Sequence, residues 1–116
     1  MKKYELTEEN ITTKRGVKLY RIKALKTFGN VEAGELGGYI EKEMNLSQDG
    51  NAWVYGNAWV SDDAWVFDDA WVFDDARVSD DAQVSDDAQV YGNARVFGNA
   101  NGDTTKKRNK TNENSI

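Results

Sequence analysis

Residues 51–68 read NAWVYGNAWVSDDAWVFD, and the six-residue pattern of this stretch continues toward the end of the chain. Its unit is Asn/Asp-Ala-x-Val-x-Gly/Asp, which occurs eight times in succession. Valine recurs at every sixth position from Val54 to Val96, and alanine does so from Ala52 to Ala100. A short internal repeat of this kind is typical of a solenoid, in which each repeat packs against its neighbours.

The period of six predicts short strands joined by corners. A helix, with about 3.6 residues per turn, would scatter the valines around its axis. In an extended strand, alanine and valine two residues apart point to the same side. The Gly/Asp-Asn/Asp pair that follows tolerates left-handed backbone angles and therefore suits a corner. Three units close one triangular coil, so we predict an all-β parallel β-helix of about three regular coils, with valine along its axis.

The residues on either side of each valine point outward and fall on three sides. We name these the first side (Val54, Val72, Val90), the second side (Val60, Val78, Val96) and the third side (Val66, Val84). The first side carries five aromatic residues, more than a monomer usually exposes, which form a candidate partner-binding set: Trp53, Tyr55, Trp71, Phe73 and Tyr91. Two alternatives are ring stacking that only stabilises the solenoid and an N-terminal segment that covers the rings. On the second side, Trp59, Arg77 and Arg95 lie in one column, which predicts a cation–π contact.

The repeat resembles the hexapeptide repeat of left-handed β-helices, since Val54 is followed four residues later by Ala58. The chain is more similar still to the YdcK-type β-solenoid proteins of bacteria and their phages. That resemblance covers roughly residues 1–102 and is carried by the units 51–56 and 87–92 and by the leader segments Tyr20–Leu25, Gly34–Ile40 and Asn45–Ser47. It implies a left-handed coil and a phage or bacterial source. It implies little about function, because most such proteins have no assigned activity.

The chain divides into four parts by pattern. We predict a small N-terminal β cap (1–30), an irregular first coil (31–50), the hexapeptide β-solenoid (51–102) and a disordered polar tail (103–116). The six residues from Ile40 to Leu46 match the repeat, whereas the eight from Leu46 to Val54 break its register.

The composition excludes the usual enzymatic side chains. The chain has no histidine and no cysteine, so it lacks the commonest general base, disulfides and cysteine-ligated zinc. We therefore predict no enzyme, no catalytic residue, no cofactor and no metal site, with calcium between aspartate columns as an open alternative. No apolar stretch is long enough to cross a membrane, and no apolar run follows Lys2 and Lys3 as in a secretory signal. We expect a cytoplasmic protein, in the host cytoplasm if a phage encodes it.

The negative charge is concentrated in the repeats. Residues 51–102 hold two arginines and ten aspartates. The aspartates are turn formers that also keep the rod soluble, or they are partner-binding residues that imitate a nucleic-acid backbone. These acidic corners are Asp62, Asp63, Asp68, Asp69, Asp74, Asp75, Asp80, Asp81, Asp86 and Asp87.

These features favour a non-catalytic interaction protein. The acidic corners and the aromatic side would bind another protein with a basic surface, and we expect neither direct nucleic-acid binding nor membrane binding. The resemblance suggests a host protein that handles nucleic acid or serves in defence, and that binding would inhibit it. One alternative is a self-assembling scaffold, a homodimer through the C-terminal solenoid end or the aromatic side. A second is a degenerate relative of hexapeptide acyltransferases, which rely on a histidine that this chain lacks.

Overall fold

The computed structural model describes residues 2–98, and this part of the chain is almost entirely β structure. Three longer strands precede a short 3-10 turn, Glu43–Asn45, and eight two-residue strands follow it. The strands are β1 (Tyr4–Thr12), β2 (Lys18–Ala24), β3 (Leu36–Ile40), β4 (Trp53–Val54), β5 (Trp59–Val60), β6 (Trp65–Val66), β7 (Trp71–Val72), β8 (Arg77–Val78), β9 (Gln83–Val84), β10 (Gln89–Val90) and β11 (Arg95–Val96). The tail predicted at 103–116 and the last repeat positions at 99–102 lie outside the described residues.

The eight short strands form the three sides of a solenoid. Strands β4, β7 and β10 pair in parallel on the first side, β5, β8 and β11 on the second, and β6 and β9 on the third. On the first side Val54 pairs with Val72 and Val72 with Val90, so each coil advances by three repeat units. The prediction of a β-solenoid with about three stacked parallel coils is confirmed.

The interior of the solenoid consists of valine and alanine. The repeat valines from Val54 to Val90 are 0% exposed, and Val96 in the last described strand is 5% exposed. The repeat alanines from Ala52 to Ala88 are likewise 0% exposed. Both residue types face the axis because they are two positions apart in the same extended segment. Burial of each valine removes its apolar side chain from water, which stabilises the folded state by about 1.5–3 kcal/mol.

Each corner contains one residue with a left-handed backbone. Along the repeat this residue is glycine or the first aspartate of a pair, at Gly50, Gly56, Asp62, Asp68, Asp74, Asp80, Asp86, Gly92 and Gly98. The five aspartates have φ between 57° and 62°. Only glycine and, less readily, aspartate or asparagine adopt this region without a large steric cost. This explains why the sixth position of the unit is restricted to Gly and Asp.

The segment before the repeats forms an incomplete coil with two extra residues. Ile40 pairs with Val60 and Leu46 with Val66, in each case 20 positions apart in sequence. The backbone N–H of Asn51 then donates to the carbonyl of Asp68 at 3.0 Å, which restores the register of the repeat. The extra residues therefore lie between Leu46 and Asn51, where the sequence pattern is broken.

The N-terminal hairpin extends the second side and closes one end of the solenoid. Strands β1 and β2 are antiparallel, β2 is antiparallel to β3, and β3 joins the solenoid by pairing with β5. Phe28 and Tyr4 pack edge-on against Trp53, with ring centroids 5.3 and 6.2 Å away. The buried Lys3 donates from Nζ to the carbonyl of Ala52 at 2.9 Å. These contacts cover the first end of the valine core.

Two glycines allow β3 to approach the first regular coil. A Cβ atom on Gly38 would lie 2.5 Å from the carbonyl oxygen of Ala58 and 2.7 Å from Cγ1 of Val54. A Cβ atom on Gly37 would lie 2.6 Å from the carbonyl oxygen of Val54. Since the nearest neighbour of a Cβ atom at either position is a backbone carbonyl oxygen, a larger residue would push β3 away from the first regular coil.

Candidate interaction surfaces

The two aspartates of each Asp-Asp turn have different environments. The first one adopts the left-handed conformation, and in four of these turns its Oδ2 accepts a hydrogen bond from a backbone N–H of the next coil. Asp62 accepts from Asp80 and Asp68 from Asp86, both at 3.1 Å, Asp74 from Gly92 at 3.0 Å, and Asp80 from Gly98 at 3.1 Å. The turn-forming interpretation of the aspartates therefore has a direct structural basis at these positions.

The second aspartate of each corner is exposed and has no such backbone role. Asp63, Asp69, Asp75, Asp81 and Asp87 have ordinary φ values and are exposed to solvent. Asp63 forms an ion pair with Lys42, with Nζ and Oδ1 3.0 Å apart, and this hydrogen bond raises the pKa of Lys42. These carboxylates are available to an external partner without a loss of corner geometry.

The acidic residues are unequally distributed over the three corners. The corner between the second and third sides contains Asp62, Asp63, Asp80 and Asp81. The corner between the third and first sides contains Asp68, Asp69, Asp86 and Asp87. The remaining corner contains Asp74 and Asp75, with Gly56-Asn57 and Gly92-Asn93 in the neighbouring coils. Each of the two edges of the third side is thus bordered by four aspartates, eight in all.

An aromatic pair lies in the middle of this acidic third side. The rings of Trp65 and Phe67 are stacked, with centroids 3.9 Å apart and an interplanar angle of 23°. Trp65 is 39% exposed and Phe67 is half-buried. We call this combination, Trp65 and Phe67 with their eight bordering aspartates, the acidic aromatic face. The repeat pattern places both rings on the third side, and the predicted partner-binding set omits them, although the distribution of Asp and Gly at the corners indicates this side.

The first side differs from its predicted form at one position. Trp53 is 0% exposed, so the prediction that it lies on an open aromatic face is wrong. The cause is the N-terminal segment, which places Tyr4 and Phe28 over its ring. One of the two alternative interpretations, a covering N-terminal segment, therefore holds for this ring.

The other four rings of the first side form contacts between coils. Tyr55 packs edge-on against Trp71 and Phe73, at 5.7 and 6.4 Å, and Phe73 stacks on Tyr91 at 5.4 Å. Burial raises the pKa of the Tyr55 phenol, with a smaller contribution from Glu35. Tyr91 is 44% exposed, whereas the other three are half-buried. Most of this aromatic surface is therefore engaged in contacts that stabilise the stack.

The second side confirms the predicted cation–π contact. The guanidinium carbon of Arg77 lies 4.4 Å from the ring centroid of Trp59 in the coil below. Arg95 continues the column because it pairs with Arg77 across β11 and β8. This side is the cationic part of an otherwise acidic solenoid.

The described residues contain neither a metal-binding cluster nor a membrane-spanning helix. Within residues 2–98, no group of three or more carboxylate, histidine or cysteine side chains is arranged to hold a metal ion. In the same range, no helix has the length and apolar character required to span a membrane.

Comparisons with known proteins agree with the fold. A family model described as YdcK Beta solenoid repeat matches residues 88–100. The chain is also 42% identical over 62 residues to a protein of Escherichia coli (strain K12) named "Uncharacterized acetyltransferase YdcK". That alignment covers 47% of this chain and 19% of the relative, so the chain spans about a fifth of that protein's length. Residues 88–100 are therefore similar to a YdcK β-solenoid repeat, within a chain whose fold is a β-solenoid.

Proposed function

We propose that this chain is a non-catalytic interaction module that binds another protein with a basic surface through the acidic aromatic face. The observation that carries the proposal is the exposed Trp65–Phe67 stack between two columns of four aspartates. Binding energy at protein interfaces is concentrated in a few large anchors, with tryptophan among the most frequent. Charged residues around such an anchor mainly set the choice of partner and the association rate.

The charge pattern specifies the chemistry of the partner. Neighbouring coils are separated by about 4.8 Å, so each column presents regularly spaced carboxylates. A surface rich in lysine and arginine would complement them, whereas a nucleic-acid backbone would be repelled. The prediction that the partner is a host protein that handles nucleic acid or serves in defence, and that binding inhibits it, is part of this proposal and derives from the sequence resemblance.

The test compares matched variants on two sides of the solenoid. Trp65→Gln and Asp81→Asn alter the acidic aromatic face, whereas Trp71→Gln and Asp75→Asn make the same changes at equivalent repeat positions elsewhere. Proteins from a bacterial lysate are captured on the wild-type chain, identified by mass and titrated against each variant. We expect a basic partner whose affinity falls about tenfold or more with Trp65→Gln and changes little with Trp71→Gln.

Salt dependence provides a second readout for the same partner. Screening should weaken the complex as ionic strength rises, because exposed charges interact over about 10 Å at moderate salt. Capture of partners that are not basic, equal losses for the two tryptophan variants, or salt-independent affinity would contradict the proposal.

Acyl transfer is the competing function, because the E. coli relative is named an acetyltransferase. We do not propose it, because this chain contains no histidine, the residue on which the hexapeptide acyltransferases that it resembles rely. The measurement is hydrolysis or transfer of acetyl-coenzyme A by the purified chain. We expect no turnover above the uncatalysed rate, and a rate abolished by chain unfolding would contradict the non-catalytic interpretation.

A further inference from the structure

The turn of the N-terminal hairpin overhangs the second side and leaves a groove beneath it. One wall is the stretch from Ile11 to Val17, at the end of β1 and in the turn that follows. The other wall is formed by side chains of the second side, Trp59, Ser61, Asp62, Arg77 and Arg95. The groove has a volume of about 540 Å³ and is partly open to solvent, and this volume is within the range of about 300–1,000 Å³ that is typical of small-molecule sites. We call this cavity the hairpin groove.

The hairpin groove is cationic in a protein of net charge −5. Lys14 and Arg15 come from the hairpin, and Arg77 and Arg95 from the solenoid, whereas Asp62 is the one carboxylate of residues 2–98 that lines the cavity. Arg15 approaches Asp62 only to 3.9 Å, and the same carboxylate oxygen accepts the N–H of Asp80. Among residues 2–98, Lys14, Arg77 and Arg95 have no carboxylate within ion-pair distance. Four basic groups from two separate structural units therefore converge on one cavity.

The geometry favours a ligand with a compact anion. Arginine presents a planar fork of N–H donors that matches the oxygens of a phosphate group. The Trp59 ring holds the guanidinium of Arg77 in place, which lowers the entropy lost when an anion binds. The corner aspartates Asp63 and Asp81 lie just beyond Asp62, and they would repel a long polyanion that ran along this side.

We propose that the hairpin groove binds a small organic phosphate. The phosphate would interact with Arg77, Arg95 and Lys14, and the organic part would contact the apolar surface of Ile11, Val17 and Trp59. Of the residues that line the groove, Asp62 also borders the acidic aromatic face, but the basic and apolar groups proposed to bind the ligand do not belong to that face, so the two proposals stand or fall independently.

Calorimetric titration of the full chain tests the proposal. The probes are inorganic phosphate, adenosine monophosphate as a phosphate ester, and adenosine as a ligand without the anion. We expect saturable binding of one molecule of adenosine monophosphate, weaker binding of inorganic phosphate and no binding of adenosine. If inorganic phosphate binds as tightly as the ester, the organic contact is contradicted, and if adenosine binds equally well, the anion site is contradicted.

Matched variants locate the site. Arg95→Gln and Lys14→Gln should each weaken binding about tenfold, because charge-assisted hydrogen bonds are lost. Lys23→Gln makes the same charge change as Lys14→Gln on an exposed position of β2 outside the groove, and it should leave affinity within about twofold. Equal weakening by Lys14→Gln and Lys23→Gln would show non-specific attraction and overturn the proposal.

A spectroscopic readout does not depend on any variant. The indole N–H resonance of Trp59 should shift on addition of adenosine monophosphate, since its ring lines the groove, whereas that of the exposed Trp65 should not. A shift at Trp65 without one at Trp59, or no saturable shift at all, would overturn the assignment of the ligand to this groove.

Discussion

Asp62 and Asp80 are linked across consecutive coils by a hydrogen bond of 3.1 Å, in which Oδ2 of Asp62 accepts the backbone N–H of Asp80. Both residues have left-handed backbones at the same corner. The repulsion between the stacked aspartates is therefore opposed by an attractive contact between a carboxylate and a peptide dipole. A column of like charges is compatible with a stable solenoid for this reason.

The first prediction concerns this ladder at Asp68, whose Oδ2 accepts the N–H of Asp86. Asp68→Ala should lower the free energy of unfolding by about 2 kcal/mol, because alanine is strained at positive φ and cannot accept the hydrogen bond. Asp68→Asn should cost less than about 0.5 kcal/mol, since asparagine retains the acceptor and tolerates the conformation. Urea unfolding measures both changes. Asp69→Ala is the matched control, and a cost equal to that of Asp68→Ala would contradict the assignment of separate roles.

The second prediction compares two tryptophans at the same position of the repeat unit. Trp53 is fully buried under Tyr4 and Phe28, whereas Trp65 is 39% exposed. Trp53→Ala should cost about 3–5 kcal/mol, because it opens a cavity beneath the cap. Trp65→Ala should cost about 1 kcal/mol, which reflects the lost stacking on Phe67. Thermal or urea unfolding distinguishes the two, and similar costs would indicate that the cap does not close over Trp53.

The third prediction concerns the close approach of β3 to the first regular coil. Gly38→Ala should destabilise strongly, because the new Cβ would lie 2.5 Å from the carbonyl oxygen of Ala58. Overpacking of this kind typically costs about 1–3 kcal/mol or more when backbone atoms must move. Gly56→Asp provides the control, because Gly56 has φ 58° and open space around it, and the chain itself places aspartate at equivalent corners. A Gly38→Ala variant as stable as Gly56→Asp would contradict the close approach of β3 to the first regular coil.

The fourth prediction is a pH dependence that originates at Lys3. Burial lowers the pKa of Lys3 from 10.5 to about 8, with a further lowering by Lys26 and opposing effects of Asp49 and Asp69. Between these two values the unfolded state binds more protons than the folded state, so this group makes stability rise with pH. Below about pH 8 both states are protonated and its contribution to the slope vanishes.

The measurement is urea unfolding of the wild type and Lys3→Met from neutral pH to about pH 10. Groups that titrate in both proteins cancel in the difference between the two curves. We expect the stability of the wild type to increase relative to the variant above about pH 8. Parallel curves over the whole range would contradict a protonated, desolvated Lys3 in the folded state.

The sequence predicted the interior of the solenoid better than its surface. The spacing of Val54 and its counterparts sufficed for the fold, because alternation along a strand determines which side chains face the axis. The same logic failed for Trp53, since its burial depends on Tyr4 and Phe28, which are distant in sequence. Local periodicity contains no information about such long-range packing.

Two other features could not be resolved from the sequence for related reasons. Asp68 and Asp69 are the same residue type in one corner and both are exposed, and only the backbone angle and the carboxylate contact identify Asp68 as the structural one. The hairpin groove arises because the hairpin bends over the second side, which brings Lys14 near Arg95 although they lie in different parts of the chain. The sequence shows the charge of each residue but not the convergence of these residues on one cavity.

The triangular register has a consequence for changes in repeat number. Insertion of one unit between Asp74 and Asp75 would leave the apolar axis intact, because every later valine would still face inward. It would nevertheless rotate all later residues by one side, so that Arg77 and Arg95 would together leave the column of Trp59 and join that of Trp65. Insertion of three units would lengthen the rod without rotation. Gain or loss of a single short genetic element could thus reassign surface chemistry between faces at almost no cost to folding.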